Sequence, residues 1–315
     1  MTLLEQARPA EKGQTGNGAA VPPLWRLVSR RGSVIAALNE NGDGIPFYCV
    51  HSISGEVSSL FNLVRVLGGE QRFYGIQVPK DKMNGAFPTS IEAVAEHHVK
   101  ALTAFQPEGP LVLGGWSAGA VLALEMARQL RALGRDVPLL VAMDGAPCNT
   151  GAGLKRRDPR YAWRLLRNLP GWVKHHVMRS DSPRAFFREI AGKIAFRVRL
   201  NLPALRTDQP LDEATVHALL NASGWQAGQQ AFIRALYDAM RVYVPQPYEG
   251  RVLVYEAGTQ PLDHLMQVAA IWKTIARRTE IVRLEGIHDR LLKSPAVDAL
   301  SQHLRLRLTE LREPR

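Results

Sequence analysis

The sequence predicts an α/β protein with a mostly parallel sheet that is covered by helices on both faces. The first observation is that short apolar or β-branched runs alternate with longer segments in which apolar residues recur at helical spacing. This alternation is typical of parallel sheets, because each crossover between parallel strands places a helix on one face. The second observation is that the alternation stops at about residue 146 and resumes after about residue 244, with helical spacing in between. We therefore predict one sheet that is interrupted by a helical insertion.

The individual elements follow from the same patterns. Short apolar runs bounded by turn residues are predicted as buried strands, and longer segments with an apolar residue every three or four positions are predicted as helices. The predicted strands are IPFYCV (Ile45–Val50), RFYGIQV (Arg72–Val78), PLVLGG (Pro110–Gly115), DVPLLVAMD (Asp136–Asp144), RVLVYEA (Arg251–Ala257) and TEIVRLEG (Thr279–Gly286). The predicted helices are VSSLFNLVRVLG (Val57–Gly68), IEAVAEHHVKALTAF (Ile91–Phe105), AGAVLALEMARQLRALG (Ala118–Gly134), MQVAAIWKTIARR (Met266–Arg278) and AVDALSQHLRLRLTEL (Ala296–Leu311).

The domain organisation is predicted from composition. Residues 1–30 are expected to form a disordered lead, because Gly, Gln, Pro and Ala are frequent there, and residues 31–315 one domain with a lid at about 146–244. The first residues lack the basic and apolar regions of a secretory signal, and no apolar run reaches the length of a transmembrane helix. Two cysteines, Cys49 and Cys148, make no disulfide framework, which favours a reducing, cytoplasmic setting.

The net charge of +11 is concentrated in one segment of the predicted lid. Residues 151–206 carry 14 Lys and Arg against three acidic residues, so this segment alone accounts for the excess. Within it, YAWRLLRNLPGWVKHHV and SPRAFFREIAGKIAFRVRL place apolar residues at helical spacing with arginines between them. Such helices can cover an apolar cleft with solvated basic faces, or they can lie on an anionic membrane.

One serine lies at the junction of a predicted strand and a predicted helix. The pentapeptide Gly115-Trp116-Ser117-Ala118-Gly119 has the pattern G-x-S-x-G, which becomes specific where it follows a strand and opens a helix. Glycines flank the serine because side chains at those positions would collide in so tight a turn. The turn exposes the hydroxyl at the sheet edge, and the helix N-terminus supplies a free N–H group and a partial positive charge. A helix N-cap is the structural alternative, but the context favours a nucleophile.

A serine nucleophile needs a base and an orienting acid, which follow it in the order serine, acid, histidine in this architecture. His288 follows the last predicted strand in a loop before the last helix, where it can reach back over the sheet edge. Asp144 ends the strand after the helix that Ser117 opens, so its carboxylate emerges at the same edge. Asp263 is the competing acid, although a helix-capping role suffices for it. We therefore predict Ser117, Asp144 and His288 as a catalytic triad.

The predicted oxyanion hole consists of two backbone N–H groups. The first donor is Ala118, directly after the nucleophile, and the second is near Ile53 in the loop after the first predicted strand. His51, at the start of that loop, is interpreted as a structural residue.

With these residues in place, the chain resembles the thioesterase domains that end non-ribosomal peptide and polyketide synthases. The resemblance spans about residues 36–311 and is most specific in QPEGPLVLGGWSAGAVLALEMARQLRALG. The family's first strand and oxyanion loop are similar to PFYCVHSISGEVSSLFNLVRVLG. The segment in which the family's chain returns from the lid to the sheet resembles LYDAMRVYVPQPYEGRVLVYEA, and the family's histidine loop resembles LEGIHDRLLKSPAVDAL. The resemblance places the family's nucleophile on Ser117, its acid on Asp144 and its base on His288. Ala120, where the family usually has glycine, and Asp289 depart from the family pattern without touching the triad.

The resemblance implies an α/β-hydrolase fold with a helical lid and a serine thioesterase that uses no cofactor or metal. Such an enzyme releases an acyl, peptidyl or polyketide chain from the phosphopantetheine thioester of a carrier protein, by hydrolysis or cyclisation. It implies an acidic carrier protein as partner, with the basic lid segment as a docking surface, and no nucleic acid. No carrier domain is recognisable before residue 36, which favours a free-standing enzyme. Free-standing editing enzymes more often place the acid after a later strand, so Asp144 favours product release.

Three alternatives stay open. The first is an editing thioesterase that clears misprimed carriers, and the second is a lipase or esterase that acts on oxygen esters, because the same triad serves both chemistries. The third is a non-catalytic binding protein, against which the complete set of serine, aspartate and histidine argues.

Overall fold

A computed structural model describes residues 33–79, 90–147, 150, 159–177, 227–260 and 267–312. The strands found in these ranges are β1 (Ile35–Asn39), β2 (Phe47–Val50), β3 (Phe73–Ile76), β4 (Val112–Trp116), β5 (Leu140–Met143), β6 (Tyr248–Thr259) and β7 (Ala276–Ile287). They form one sheet in the order β1-β3-β2-β4-β5-β6-β7. β1 is antiparallel to β3, and every other neighbouring pair is parallel. The predicted mostly parallel sheet is therefore confirmed.

Most α-helices in the described ranges connect successive strands, and two of them lie between β5 and β6. They are α1 (Phe61–Leu67), α2 (Ile91–Phe105), α3 (Ala118–Ala132), α4 (Pro159–Val177), α5 (Ala227–Val242), α6 (Val268–Ile275) and α7 (Ala296–Glu310). α2 begins after Ser90, whose hydroxyl accepts a hydrogen bond from the N–H of Ala93 at 3.2 Å. Just beyond the end of α3, Gly134 has φ 77°, a conformation that glycine adopts without steric cost.

Both faces of the sheet carry a hydrophobic core. On one face, residues of α2, α3, α5 and α6 pack with strand side chains that include Tyr48 and Leu113. On the other face, α1 and α7 pack with side chains that include Phe47 and Tyr255. All four residues of β2 are buried, as are all four of β5, because helices cover both of their sides. Each fully buried large aliphatic side chain contributes about 1.5–3 kcal/mol, which explains why the central strands are continuous apolar runs.

Four elements differ from the sequence prediction. β1 is an antiparallel edge strand that the prediction lacks, because its sequence IAALN is short and forms no long apolar run. The predicted helix Met266–Arg278 ends at Ile275, where Ala276 becomes extended with φ −125° and ψ 128°. β6 and β7 extend beyond Arg251–Ala257 and Thr279–Gly286 at both ends, where exposed residues interrupt the apolar pattern.

The predicted insertion is described in part. α4 and α5 lie within it, whereas residues 151–158 and 178–226 lie outside the described ranges, as do residues 1–30. The predicted domain limits therefore stay a prediction. None of the helices in the described ranges is long and apolar enough to cross a membrane.

Candidate active site

Ser117 occupies a sharp turn between β4 and α3. Its backbone has φ 58° and ψ −122°, a conformation that non-glycine residues rarely adopt. A Cβ atom on Gly115 would collide with the backbone carbonyl of Gly119, and one on Gly119 would lie 2.6 Å from the carbonyl oxygens of both Val50 and His51. The two glycines of the G-x-S-x-G pattern are thus required by close backbone approach. The strand-to-helix context that the motif needs is present.

The structure brings the three predicted triad residues together. The Oγ atom of Ser117 lies 3.0 Å from Nε2 of His288, and Nδ1 of His288 lies 2.8 Å from Oδ2 of Asp144. Asp144 follows β5 directly and His288 follows β7 directly, so all three side chains meet at the carboxyl edge of the sheet. Because Nδ1 faces a carboxylate, it carries the proton in the neutral ring, and Nε2 is left to accept the proton of Ser117.

Asp144 is buried and is fixed by several hydrogen bonds. It is 2% exposed, its φ of 49° is unusual for a residue other than glycine, and its N–H donates to the carbonyl of Tyr255 at 2.7 Å. Its second carboxylate oxygen, Oδ1, accepts hydrogen bonds from the N–H of Ala257 at 2.8 Å and from Nε2 of Gln260 at 3.0 Å. The indole N–H of Trp272 donates to the carbonyl of the next residue, Gly145, at 2.8 Å. The carboxylate is therefore fixed with Oδ2 directed at His288.

The electrostatic surroundings of His288 favour its protonated form. Burial by itself lowers the pKa of the imidazole, but the hydrogen bond to Asp144 and the charges of Asp144 and Asp289 outweigh burial, so the pKa is raised. The ring also stacks on Trp116, with ring centroids 5.4 Å apart and an angle of 24° between the planes. These contacts orient the imidazole and suit it to accept and return a proton near neutral pH.

The predicted oxyanion residues belong to two different segments, the start of α3 and the loop after β2. Ala118 is the first residue of α3, and Ile53 lies in the loop after β2, where its side chain packs partly buried against the core. The carbonyl of the neighbouring Ser54 accepts a hydrogen bond from Nε2 of Gln229 on α5 at 3.1 Å. The assignment of Ala118 and Ile53 as oxyanion donors stays a prediction.

A buried pair of histidines lies behind this loop. Nδ1 of His51 is 2.6 Å from the carbonyl of Ser52, so Nδ1 carries the proton and Nε2 accepts one from Nε2 of His98, which is 3.2 Å away. Burial lowers the pKa of His51 to about 4, and burial together with its histidine neighbours lowers the pKa of His98 well below its ordinary value. Both rings are therefore neutral at pH 7, in agreement with a structural interpretation of His51.

Three contact residues of the site carry no sequence signal. Gln260 contacts Asp144, Trp116 contacts His288, and Trp272 contacts the residue after Asp144. No spacing motif assigns such a role to any of them. The competing acid, Asp263, lies outside the described residues. In the described part of the chain, no group of three or more His, Cys, Asp or Glu residues is arranged to hold a metal ion.

This arrangement of sheet, turn and three side chains is that of an α/β-hydrolase. Residues 46–182 match the family model of the thioesterase domain. Over 88% of the chain and 99% of the other, the fold is similar to the NocB thioesterase domain from the nocardicin cluster, with 20% identity and a TM-score of 0.57. It is also similar to the thioesterase domain SrfTE, over 91% of this chain and 99% of that one, with 17% identity and a TM-score of 0.54.

Synthases are among the similar curated sequences. The chain is 26% identical over 287 residues to chondramide synthase cmdD of Chondromyces crocatus, which covers 89% of this chain and 7% of the synthase. It is 30% identical over 165 residues to enterobactin synthase component F of Escherichia coli, which covers 50% of this chain and 12% of that protein. The chain thus spans a small part of the length of these relatives. The resemblance to thioesterase domains of non-ribosomal peptide and polyketide synthases is confirmed.

Proposed function

We propose that this protein is a serine thioesterase that releases an acyl, peptidyl or polyketide chain from the phosphopantetheine thioester of a carrier protein. The observation that carries the proposal is the continuous hydrogen-bonded series of Ser117, His288 and Asp144, with distances of 3.0 and 2.8 Å. The reaction needs no cofactor or metal, because the triad supplies the nucleophile and the proton transfer.

The proposed mechanism has two halves. In the first, Oγ of Ser117 attacks the thioester carbonyl carbon while Nε2 of His288 takes its proton. The N–H groups of Ala118 and Ile53 bind the oxyanion. The C–S bond then breaks, the thiol leaves with the proton from His288, and an acyl-enzyme remains. In the second, water or a nucleophile within the acyl chain attacks the ester, His288 takes and returns the proton, and Ser117 is freed. Asp144 stabilises the imidazolium in both halves.

A substrate panel separates the proposal from its alternatives. The same acyl group is offered as a pantetheine thioester, as a carrier-bound thioester and as an oxygen ester, and kcat/KM is measured for each. We expect the carrier-bound thioester to be the best substrate. A preference for oxygen esters would favour the lipase or esterase alternative. A short acyl group is also offered on the carrier, and a preference for it over the longer group would favour the editing alternative. A lack of labelling of Ser117 by a fluorophosphonate would favour a non-catalytic binding protein.

The electrostatics of His288 predict the acid side of the pH profile. The base must be neutral to act, so kcat/KM rises as pH rises through the pKa of His288. Because Asp144 raises that pKa, the midpoint is expected above the ordinary histidine value of about 6.5. In Asp144→Asn the pKa of His288 should be lower, because burial still lowers it and the carboxylate charge no longer raises it. The residual activity should therefore have its midpoint at lower pH. The measurement is kcat/KM for a small thioester from pH 5 to 9, and a wild-type midpoint below 6.5 would contradict this account.

The lid helix α4 supports docking of an acidic carrier. Arg167 and Lys174 are exposed on it, beside the exposed apolar side chains of Trp163 and Leu166. Complementary charge raises the encounter rate and is screened by salt, with a Debye length of about 8 Å near physiological ionic strength. The cytoplasm, where carrier proteins of such synthases act, is the compartment that we propose with this function.

We therefore expect a KM for carrier-bound substrate that rises with salt, and a KM for the same acyl group on a small uncharged thiol that does not. Reversing the charges of Arg156, Arg157 and Arg160 should weaken only the carrier-bound reaction. Arg277→Glu, a reversal of an exposed charge at the start of β7, is the matched control and should leave both reactions unchanged. Equal salt dependence for both substrates would reject docking of the carrier by the basic segment 151–206. Tight binding to anionic vesicles would instead favour the interpretation that this segment lies on a membrane.

A further inference from the structure

The loop after β6 connects the lid helix α4 to the acid of the triad. Gln260 follows β6 directly and is 6% exposed. Its side-chain amide donates to Oδ1 of Asp144 at 3.0 Å and to the carbonyl of Ala257 at 3.3 Å. Because an amide nitrogen carries two protons, both hydrogen bonds form together and hold the amide in one orientation.

The backbone of the same glutamine is bound by an asparagine of the lid helix. Oδ1 of Asn168 accepts from the N–H of Gln260 at 2.8 Å, and Nδ2 of Asn168 donates to the carbonyl of Gln260 at 2.6 Å. One side chain thus satisfies both backbone groups of Gln260. Such a reciprocal pair fixes the distance and the rotation between helix and loop more tightly than a single hydrogen bond does.

α4 also lies close to the residue before Gln260. Gly171 lies one turn after Asn168, and a Cβ atom there would collide with the hydroxyl of Thr259. The next residue, Trp172, is 4% exposed. The helix therefore lies close to residues 259 and 260 over the turn from Asn168 to Gly171.

We propose that Gln260 is a positioning residue for Asp144 and that Asn168 transmits docking of the lid helix to the triad through it. The inference rests on the proposed function for its activity readout. When α4 is docked, Gln260 occupies Oδ1 of Asp144 and leaves Oδ2 for His288. When α4 moves away, the backbone of Gln260 loses both of its bonds to Asn168 and its amide loses its fixed orientation. Reactivity of Ser117 is thereby coupled to a docked lid.

The test is a double-variant cycle with Asn168→Ala and Gln260→Leu. Gln260→Leu keeps the approximate volume and leaves the N–H of Ala257 on Oδ1, and we expect kcat to fall roughly 10- to 100-fold with KM little changed. Asn168→Ala should lower kcat about 3- to 10-fold when Gln260 is present. In the Gln260→Leu background, Asn168→Ala should still lower the melting temperature, since the backbone groups of residue 260 remain, but it should have no further effect on kcat. An equal loss of kcat in both backgrounds would overturn the proposal.

A second readout needs no substrate and no turnover. We expect the proton between Asp144 and His288 to give a far-downfield proton resonance, which its loss in His288→Ala would identify. We expect Gln260→Leu to shift or broaden this resonance and Asn168→Ala to do so less. Asn39→Ala is the matched control, because its amide also donates to backbone carbonyls, at 2.7 Å for Gln71, at the opposite end of the sheet. It should lower the melting temperature and leave the resonance unchanged. An unchanged resonance in Gln260→Leu would overturn the positioning role, whereas lack of thioesterase activity in the wild type would reject only the proposed function.

Discussion

Ser117→Ala is expected to abolish acyl transfer. The variant keeps a Cβ atom at a turn with φ 58° and ψ −122°, so the fold is retained while the only hydroxyl that contacts His288 in the described structure is removed. Loss of a triad nucleophile lowers kcat by about a million-fold in serine hydrolases, and a small residual rate remains from the oxyanion hole and substrate binding. The measurement is release of free thiol from an acyl-pantetheine thioester, with circular dichroism to confirm the fold.

Ser117→Gly is the control that separates reactivity from strain. It should be as inactive as the alanine variant, but glycine adopts this backbone conformation without steric cost, so its melting temperature should exceed that of Ser117→Ala. Thioester hydrolysis by Ser117→Ala at a rate close to that of the wild type would contradict the mechanism.

Asp144→Asn is expected to lower kcat about 10,000-fold. The asparagine retains the shape of the side chain, and its amide group would face Nδ1 of His288. It therefore favours the tautomer in which Nε2 carries the proton and cannot accept one from Ser117. His288→Ala should be at least as severe, because it removes the base itself. The measurement is kcat with a small thioester at the pH optimum of each variant.

The competing acid provides the matched comparison. Asp263→Asn should retain most of the activity, since Oδ2 of Asp144 already lies 2.8 Å from Nδ1 of His288. A severe loss in Asp263→Asn together with a mild one in Asp144→Asn would show that the acid assignment is wrong.

The sequence predicts the fold and the meeting of the triad because both depend on where buried strands end. Parallel strands of one sheet have their carboxyl ends at one edge, so a serine, an aspartate and a histidine that each follow a strand are expected to meet there. The central strands are continuous apolar runs because both of their faces are buried, which makes them easy to locate. The edge strand β1 is only five residues long, and exposed residues interrupt the apolar pattern at the ends of β6 and β7, so these parts are harder to locate.

The supporting contacts of the site could not be predicted in this way. Gln260 reaches Asp144 across a separation of 116 residues, and Asn168 reaches Gln260 across 92. These contacts depend on how α4 packs on the sheet edge, and amide side chains carry no spacing pattern that marks such partners. The positive φ of Asp144 could not be predicted from the sequence either, because aspartate at a strand end is ordinarily extended or part of a turn.

The central claim is that Ser117 carries the acyl group, and the mass of the intact protein tests it most directly. The protein is mixed with a panel of acyl-pantetheine thioesters, quenched in acid within the first turnover, and measured by mass spectrometry followed by peptide mapping. We predict a mass increase equal to one acyl group, located on the peptide that contains Ser117 and absent in Ser117→Ala. Substrate turnover without any such adduct, or an adduct that persists in Ser117→Ala, would contradict the account.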